Sequence, residues 1–134
     1  MIFATFMDYV FYKEYDGYSL KLRRDGIMHL HFILAGKIDI EKYKEIINNV
    51  GEILEYKKAP FLISTEPFEI INDEIRDFVA TEEGAPYSVA DAILSDGIGF
   101  TLLANFYIRM KKPLRPTKLF TNEAEALKWL NKFI

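Results

Sequence analysis

The stretch "NFYIRMKKPLRPTKLFTNEAEALKWL", residues 105–130, contains several changes of structural pattern within a short length of chain. It closes an apolar segment that predicts a helix over about residues 98–110. Pro113 and Pro116 end that helix, because proline cannot continue it. A short strand is expected at Thr117–Phe120, followed by another helix. Helix, strand and helix in succession favour an α/β architecture.

The last helix has a recognisable start. Asn122 with Glu125 three positions later resembles a capping box, in which side chains satisfy free backbone N–H groups. The apolar residues that this helix and its end are expected to bury are Leu127, Leu130, Phe133 and Ile134.

The first half of the chain alternates strand and helix patterns. Tyr18, Leu20 and Leu22 alternate with polar residues, and Asp25-Gly26 predicts a hairpin turn into a second strand over residues 27–33. The other predicted elements are a helix over 40–54 capped by Asp39, a strand over 61–64, a helix over 72–80 and a strand over 89–94. We therefore expect an α/β (α+β) fold, a mixed sheet with an N-terminal antiparallel hairpin and later strands alternating with helices. One domain is expected to span residues 1–134.

Composition excludes several classes of function. The 134 residues are 50% hydrophobic and 15% aromatic, far above what a disordered chain contains. The net charge of −3 gives no indication of a nucleic-acid partner. The chain has no cysteine, which excludes disulfides, thiolate zinc sites and thiol nucleophiles and fits a reducing, cytoplasmic location.

Residues 1–14 form an extra aromatic segment ahead of the predicted sheet. The segment lacks a basic region and a small-residue cleavage site, carries Asp8 within its apolar run, and is too short to span a membrane. It predicts an extra strand or a helical lid over the core. The alternative is an aromatic surface for self-association as a homodimer.

The C-terminal third resembles a family of small bacterial α/β domains. The motifs that carry the resemblance are Asn105-Phe106-Tyr107, Lys112-Pro113-Leu114-Arg115-Pro116, Leu119-Phe120-Thr121 and Ala126-Leu127-Lys128-Trp129-Leu130. They are similar to an uncharacterised STAS-like family, related to sulfate-transporter domains and anti-sigma-factor antagonists. The resemblance covers Tyr18 to the end of the chain and implies a STAS-type fold.

The resemblance also implies a regulatory position. In anti-sigma-factor antagonists, a phosphorylated serine opens the helix after the central strand. The equivalent residues here are Asn72, Asp73 and Glu74, followed by Ile75, so no acceptor serine is present. The two acids could imitate a permanently phosphorylated state. Alternatively, they are ordinary helix-start acids, which the helix dipole favours.

Two predicted strand ends carry small polar residues. Ser64 and Thr65 end one strand, and Ser95, Asp96 and Gly97 follow the next. Open α/β sheets place ligands at the carboxyl ends of strands, and a helix start offers N–H groups to an anion. The residues therefore predict either a small-molecule or anion site, or hydroxyl groups that cap local backbone.

His29 and His31 lie two positions apart on a predicted strand, so both point to one face. They could bind a metal if a third ligand converged on them. A solvated face of the hairpin explains the same pattern, and no metal is expected. Catalysis by a serine would need a histidine to reach Ser64 or Ser95, and nothing in the sequence indicates that contact.

Five cations surround the predicted prolines, namely Arg109, Lys111, Lys112, Arg115 and Lys118. Positive charge at a helix C-terminus stabilises that helix. The same group could also form a surface patch for an anionic partner.

The function expected from these patterns is that of a non-enzymatic STAS-like regulatory domain, acting in bacterial signalling through contact with a protein partner and without a cofactor. The alternative is a small-ligand module of the same fold, binding a lipid, a nucleotide or an anion.

Overall fold

The computed structural model describes residues 8–95 and 114–134, which form a mixed α/β structure around one six-stranded sheet. The strands are β1 (Tyr9–Glu14), β2 (Tyr18–Arg23), β3 (Met28–Phe32), β4 (Ala59–Thr65), β5 (Ser88–Leu94) and β6 (Thr117–Phe120). The helices of this part of the chain are α1 (Ile40–Ile53), α2 (Asp73–Val79) and α3 (Glu123–Leu130), with short 3-10 helices at Ala35–Lys37 and Asn131–Phe133.

The strands lie in the sheet in their order along the chain. The β1–β2 and β2–β3 pairs are antiparallel, whereas the β3–β4, β4–β5 and β5–β6 pairs are parallel. Each parallel pair needs a long crossover connection. α1 supplies it between β3 and β4, and α2 supplies it between β4 and β5. The predicted mixed sheet with an antiparallel opening is confirmed.

The turn between β2 and β3 forms where Asp25-Gly26 predicts it. Gly26 has a φ of 90°, a left-handed conformation that glycine adopts without strain. The Asp25 carboxylate accepts a hydrogen bond from the backbone N–H of Ile27 at 3.2 Å. This turn aligns His29 with Lys21 on β2.

Apolar residues cover both faces of the sheet. On one face, called here the α1/α2 face, strand residues such as Leu30 and Ile63 pack against Ile46 of α1 and Ile75 of α2. On the other, called the α3 face, Leu62 packs with Ala126 and Leu130 of α3. The alternation of side chains along each strand therefore assigns successive residues to different layers of the core.

Both predicted helix caps are present. The Asp39 side chain accepts a hydrogen bond from the backbone N–H of Lys42 at 2.8 Å, at the start of α1. The Asn122 side chain accepts one from the N–H of Glu125 at 3.0 Å, at the start of α3. These bonds satisfy N–H groups that lack partners within the helix.

Some expectations need correction or lie outside the described residues. Ile134 is 65% exposed rather than buried, because the chain leaves α3 through a final 3-10 turn. Leu130 is fully buried, as expected, while Leu127 and Phe133 are partly buried. The predicted helix over residues 98–110 lies outside the described ranges.

The aromatic N-terminal segment contributes the edge strand β1, so the expected extra strand is confirmed for Tyr9–Glu14. Within residues 8–95 and 114–134, no helix is long and apolar enough to cross a membrane.

Candidate functional site

Two histidines and a serine meet on the α3 face. His31 of β3 lies directly beside Ser64 of β4 in the parallel register, and His29 lies two residues earlier on the same face. The Ser64 Oγ is 2.7 Å from His29 Nε2 and 2.7 Å from His31 Nδ1. Both distances are those of short hydrogen bonds. One hydroxyl therefore joins both imidazole rings.

A fourth group lies beside this cluster, at ion-pair distance. Glu66, just beyond β4, places a carboxylate oxygen 3.7 Å from the Nε2 atom of His31. The negative charge favours the tautomer of His31 that carries its proton on Nε2. The Nδ1 atom of His31 then accepts the Ser64 hydroxyl proton, and Ser64 in turn accepts the N–H of His29. This assignment gives each of the two hydrogen bonds to Ser64 Oγ one proton.

The environment keeps His29 neutral. Burial lowers its pKa to about 4, and the nearby His31, Lys21 and Arg23 act in the same direction. Lys21 and Arg23 themselves pair with Asp8, at 3.8 and 3.0 Å. The cluster thus combines uncharged His29 with a hydroxyl and a partly exposed second imidazole.

This geometry corrects the interpretation of the histidines as a merely solvated pair. Nothing in the sequence indicates contact with Ser64, yet both rings reach it. Predicting this contact would require the register in which β3 pairs with β4, and the sequence of either strand alone does not specify that register. Among the described residues, no group of three or more His, Cys, Asp or Glu side chains could hold a metal ion.

The serine and threonine expected to act together at the end of β4 do not share a face. Ser64 faces the histidines, whereas Thr65, the next residue of the strand, projects to the opposite side. At the end of β5, the backbone N–H of Ser95 donates to the carbonyl of Phe120 at 3.0 Å. Asp96 and Gly97, the remainder of that predicted anion site, lie outside the described residues.

The loop from β4 to α2 exposes two large apolar side chains. Phe68 is 99% exposed and Ile70 is 57% exposed. Phe68 also has a φ of 67°, a left-handed conformation that is uncommon for a bulky residue. The loop is anchored at its start, where the N–H of Glu66 donates to the carbonyl of Phe32 at 2.9 Å.

The predicted regulatory residues lie where this loop enters α2. Asn72 is the N-cap residue, but its side-chain amide donates to the carbonyl of Ile38 at 3.3 Å instead of capping the helix. Asp73 forms an ion pair with Arg76 one turn later, and Glu74 is exposed. The three residues are thus adjacent to the exposed Phe68 and Ile70 segment.

Arg115 is not part of a surface patch, which corrects its predicted role. Its guanidinium lies 2.6 Å from the Asp91 carboxylate, and only 8% of its side chain is exposed. The same group donates to the carbonyl of Val79 at the end of α2, at 2.6 Å. Lys118 is exposed, with its ammonium 5.4 Å from the centre of the Phe120 ring. Arg109, Lys111 and Lys112 lie outside the described residues.

Two small cavities lie between the sheet and the α1–α2 layer, both lined in part by Tyr43 and Val79. Their volumes are about 20 and 30 Å³. A single water molecule needs roughly 10–15 Å³ on the same measure. Neither cavity could hold a lipid or a nucleotide in this conformation.

Comparison with known proteins gives one match. The model of a family described as "Domain of unknown function (DUF7793)" matches residues 20–134. No curated protein and no solved structure matches the chain.

Proposed function

The chain belongs to the DUF7793 family, and from the geometry of the β4–α2 loop we propose that it is a STAS-like regulatory domain that acts through non-covalent contact with another protein. The observation that carries this proposal is the exposure of Phe68, at 99%, together with Ile70, at 57%, beside the helix start that the STAS resemblance marks as regulatory.

The exposed side chains have the chemistry of an interface anchor. Burying a phenylalanine or isoleucine side chain contributes about 1.5–3 kcal/mol. Aromatic residues are also enriched at the centres of protein interfaces. Phe68 gains nothing from the folded chain itself, since it is almost wholly in solvent. Its exposure is therefore best explained by a partner that covers it.

Charge around the loop restricts the partner further. Glu66, Glu69 and Glu74 flank the two apolar residues in the sequence. Asp73 keeps a 77% exposed side chain despite its ion pair with Arg76. Complementary charge favours association and suppresses wrong partners. The partner we expect has an apolar pocket bordered by lysine or arginine.

The sheet supports the STAS-like part of the proposal. An antiparallel opening followed by parallel strands with helical crossovers is the arrangement that the resemblance implies. Glu74 and Asp73 replace the phosphorylated position with fixed negative charge, so we expect partner binding that does not depend on phosphorylation.

The test is affinity capture from the source cell with three forms of the protein. Wild-type protein should retain a partner. The Phe68→Ser/Ile70→Ser variant should capture at least about tenfold less of that partner, as expected when one or more buried apolar anchors are removed. Ile134→Ser is the matched control, because Ile134 is also an exposed apolar residue (65%) but lies at the far end of the chain. Equal capture by wild type and the loop variant, with both folded, would contradict the proposal.

A further inference from the structure

We propose that Ser64 is a nucleophilic serine that accepts an acyl group from small activated carboxylic esters, with His31 as its general base. The inference rests on the cluster of His29, His31, Ser64 and Glu66 and does not depend on the contact proposed for Phe68.

The cluster has the three parts that an activated serine requires. A nucleophile must lie within hydrogen-bond reach of a base, and a third group must orient that base. Ser64 Oγ lies 2.7 Å from His31 Nδ1, and Glu66 lies 3.7 Å from the other ring nitrogen. In the familiar serine triads the hydroxyl bonds Nε2 and the carboxylate bonds Nδ1, whereas here the hydroxyl is at Nδ1 and the carboxylate is on the Nε2 side. The order of hydroxyl, imidazole and carboxylate is the same.

His29 is the second hydrogen-bond partner of the serine. Its Nε2 atom is also 2.7 Å from Ser64 Oγ, and it donates a proton in the tautomer that completes the network. As Ser64 loses its own proton to His31, this N–H stabilises the negative charge that develops on the oxygen. A second lone pair on the oxygen remains free for attack.

The position of Ser64 limits the size of the substrate. Ser64 is 7% exposed, near the carboxyl end of parallel strand β4, where ligands of open α/β sheets bind. His31, with 27% of its side chain exposed, is on the solvent side of the cluster. Such limited access favours substrates with a small acyl group.

The chemical step is balanced within these residues and the ester. Ser64 Oγ forms a bond to the carbonyl carbon while its proton moves to His31 Nδ1. The bond from that carbon to the leaving oxygen breaks, and the leaving group departs with the proton from His31. Water then hydrolyses the acyl-serine with His31 again as base, releasing the acid and restoring Ser64.

Glu66 is a positioning residue in this scheme. Because its charge favours the tautomer of His31 that carries its proton on Nε2, Glu66→Gln should move the ¹⁵N chemical shifts of the His31 ring. A purely structural role would change the amount of folded protein without moving those shifts. Unmoved ring shifts in folded Glu66→Gln would overturn the role given to Glu66.

The experiment treats the full chain with a fluorophosphonate probe, which reacts with activated serines and releases fluoride, and maps the adduct by peptide mass spectrometry. We expect the adduct on Ser64 of wild-type protein and its loss in Ser64→Ala. His31→Gln should slow labelling by about 100-fold, a typical effect of removing a general base.

Ser19→Ala is the matched control, since Ser19 is also 7% exposed and lies on β2 opposite His31. It should label at the wild-type rate. The rates of p-nitrophenyl acetate hydrolysis should rank the variants in the same order as their labelling rates. Absence of an adduct on Ser64 of folded wild-type protein, or unchanged labelling in folded His31→Gln, would overturn the proposal.

Discussion

Asp91 and Arg115 form a buried ion pair that ties β5 to the segment entering β6. The Arg115 Nε and Nη2 atoms lie 2.7 and 2.6 Å from one carboxylate oxygen of Asp91, and Ser88 donates to the other oxygen at 2.6 Å. Burial raises the pKa of Asp91, whereas the charge of Arg115 opposes that rise. Because Arg115 also donates to the carbonyl of Val79, the pair joins the end of α2 to the sheet.

Removing one partner of this pair should destabilise the fold strongly. Asp91→Ala leaves the Arg115 guanidinium buried without its counter-ion, and we expect the free energy of unfolding to fall by about 3–5 kcal/mol. Urea denaturation measures the change. Lys118→Ala, a nearby exposed cation, is the control and should change stability by less than about 0.5 kcal/mol. A loss below about 1 kcal/mol for Asp91→Ala would show that the pair is not buried in solution.

Gly84 should tolerate no side chain. A Cβ atom at this position would lie 1.8 Å from the backbone oxygen of Phe78, so the backbone itself would have to move. Gly84→Ala is expected to lower the free energy of unfolding by about 2 kcal/mol or more. The same measurement on Gly36→Ala should show little change, because nothing lies within 4 Å of a Cβ there. Similar stabilities for the two variants would rule out this backbone contact.

Stability should depend on the protonation of His29. Its pKa is about 4 in the folded protein against an ordinary 6.5, so between these values the unfolded chain binds the proton more readily. The stability contributed by neutral His29 is therefore fully present above about pH 6.5 and is lost as the pH falls toward 4. At pH 5 the loss is about 2 kcal/mol.

The check on His29 is urea denaturation of wild type and His29→Gln at pH 7.5 and 5. The difference in stability between the two proteins should shrink by that amount at the lower pH. The comparison cancels the contributions of Lys21, Arg23, Asp8 and other groups that both proteins share. A difference that stays constant with pH would contradict the lowered pKa.

Tyr18 offers a milder test of the contacts between β2 and α1. Its hydroxyl donates to Glu45 at 2.8 Å and accepts from the Asn49 amide at 2.8 Å, and its ring is fully buried. Burial and the Glu45 bond both raise its pKa. Tyr18→Phe should cost about 1 kcal/mol of stability by urea denaturation, since Glu45 can recover water. Tyr56→Phe, at a 68% exposed ring, should cost almost nothing. Equal costs would exclude these two hydrogen bonds.

Local patterns predicted the elements of this fold well. The correctly predicted features depend on residues that are close in the chain. They are the alternation in Tyr18–Arg23, the Asp25-Gly26 turn, and the caps at Asp39 and Asn122. Such interactions can be read without knowing how the strands pair.

The candidate site depends on contacts that local patterns do not encode. Ser64 meets the histidines only because β3 and β4 pair in one particular register, and Arg115 finds Asp91 only because β5 and β6 are neighbours. A shift of one residue in either pairing would place each side chain on the opposite face. The local sequence therefore predicts a surface patch that includes Arg115, because the carboxylate that binds it lies 24 positions away in the chain.

The most direct test of the site is the protonation of its two imidazole rings, read from ¹⁵N chemical shifts at neutral pH. The network predicts that His31 carries its proton on Nε2, with Nδ1 accepting from Ser64, and that His29 also carries its proton on Nε2. In Ser64→Ala, the shift of the His31 Nδ1 atom should move as it loses its donor. A proton on Nδ1 of His31 would contradict the role of that nitrogen as the base. Ring shifts that do not respond to the loss of the Ser64 hydroxyl would contradict the shared hydrogen bonds on which the site depends.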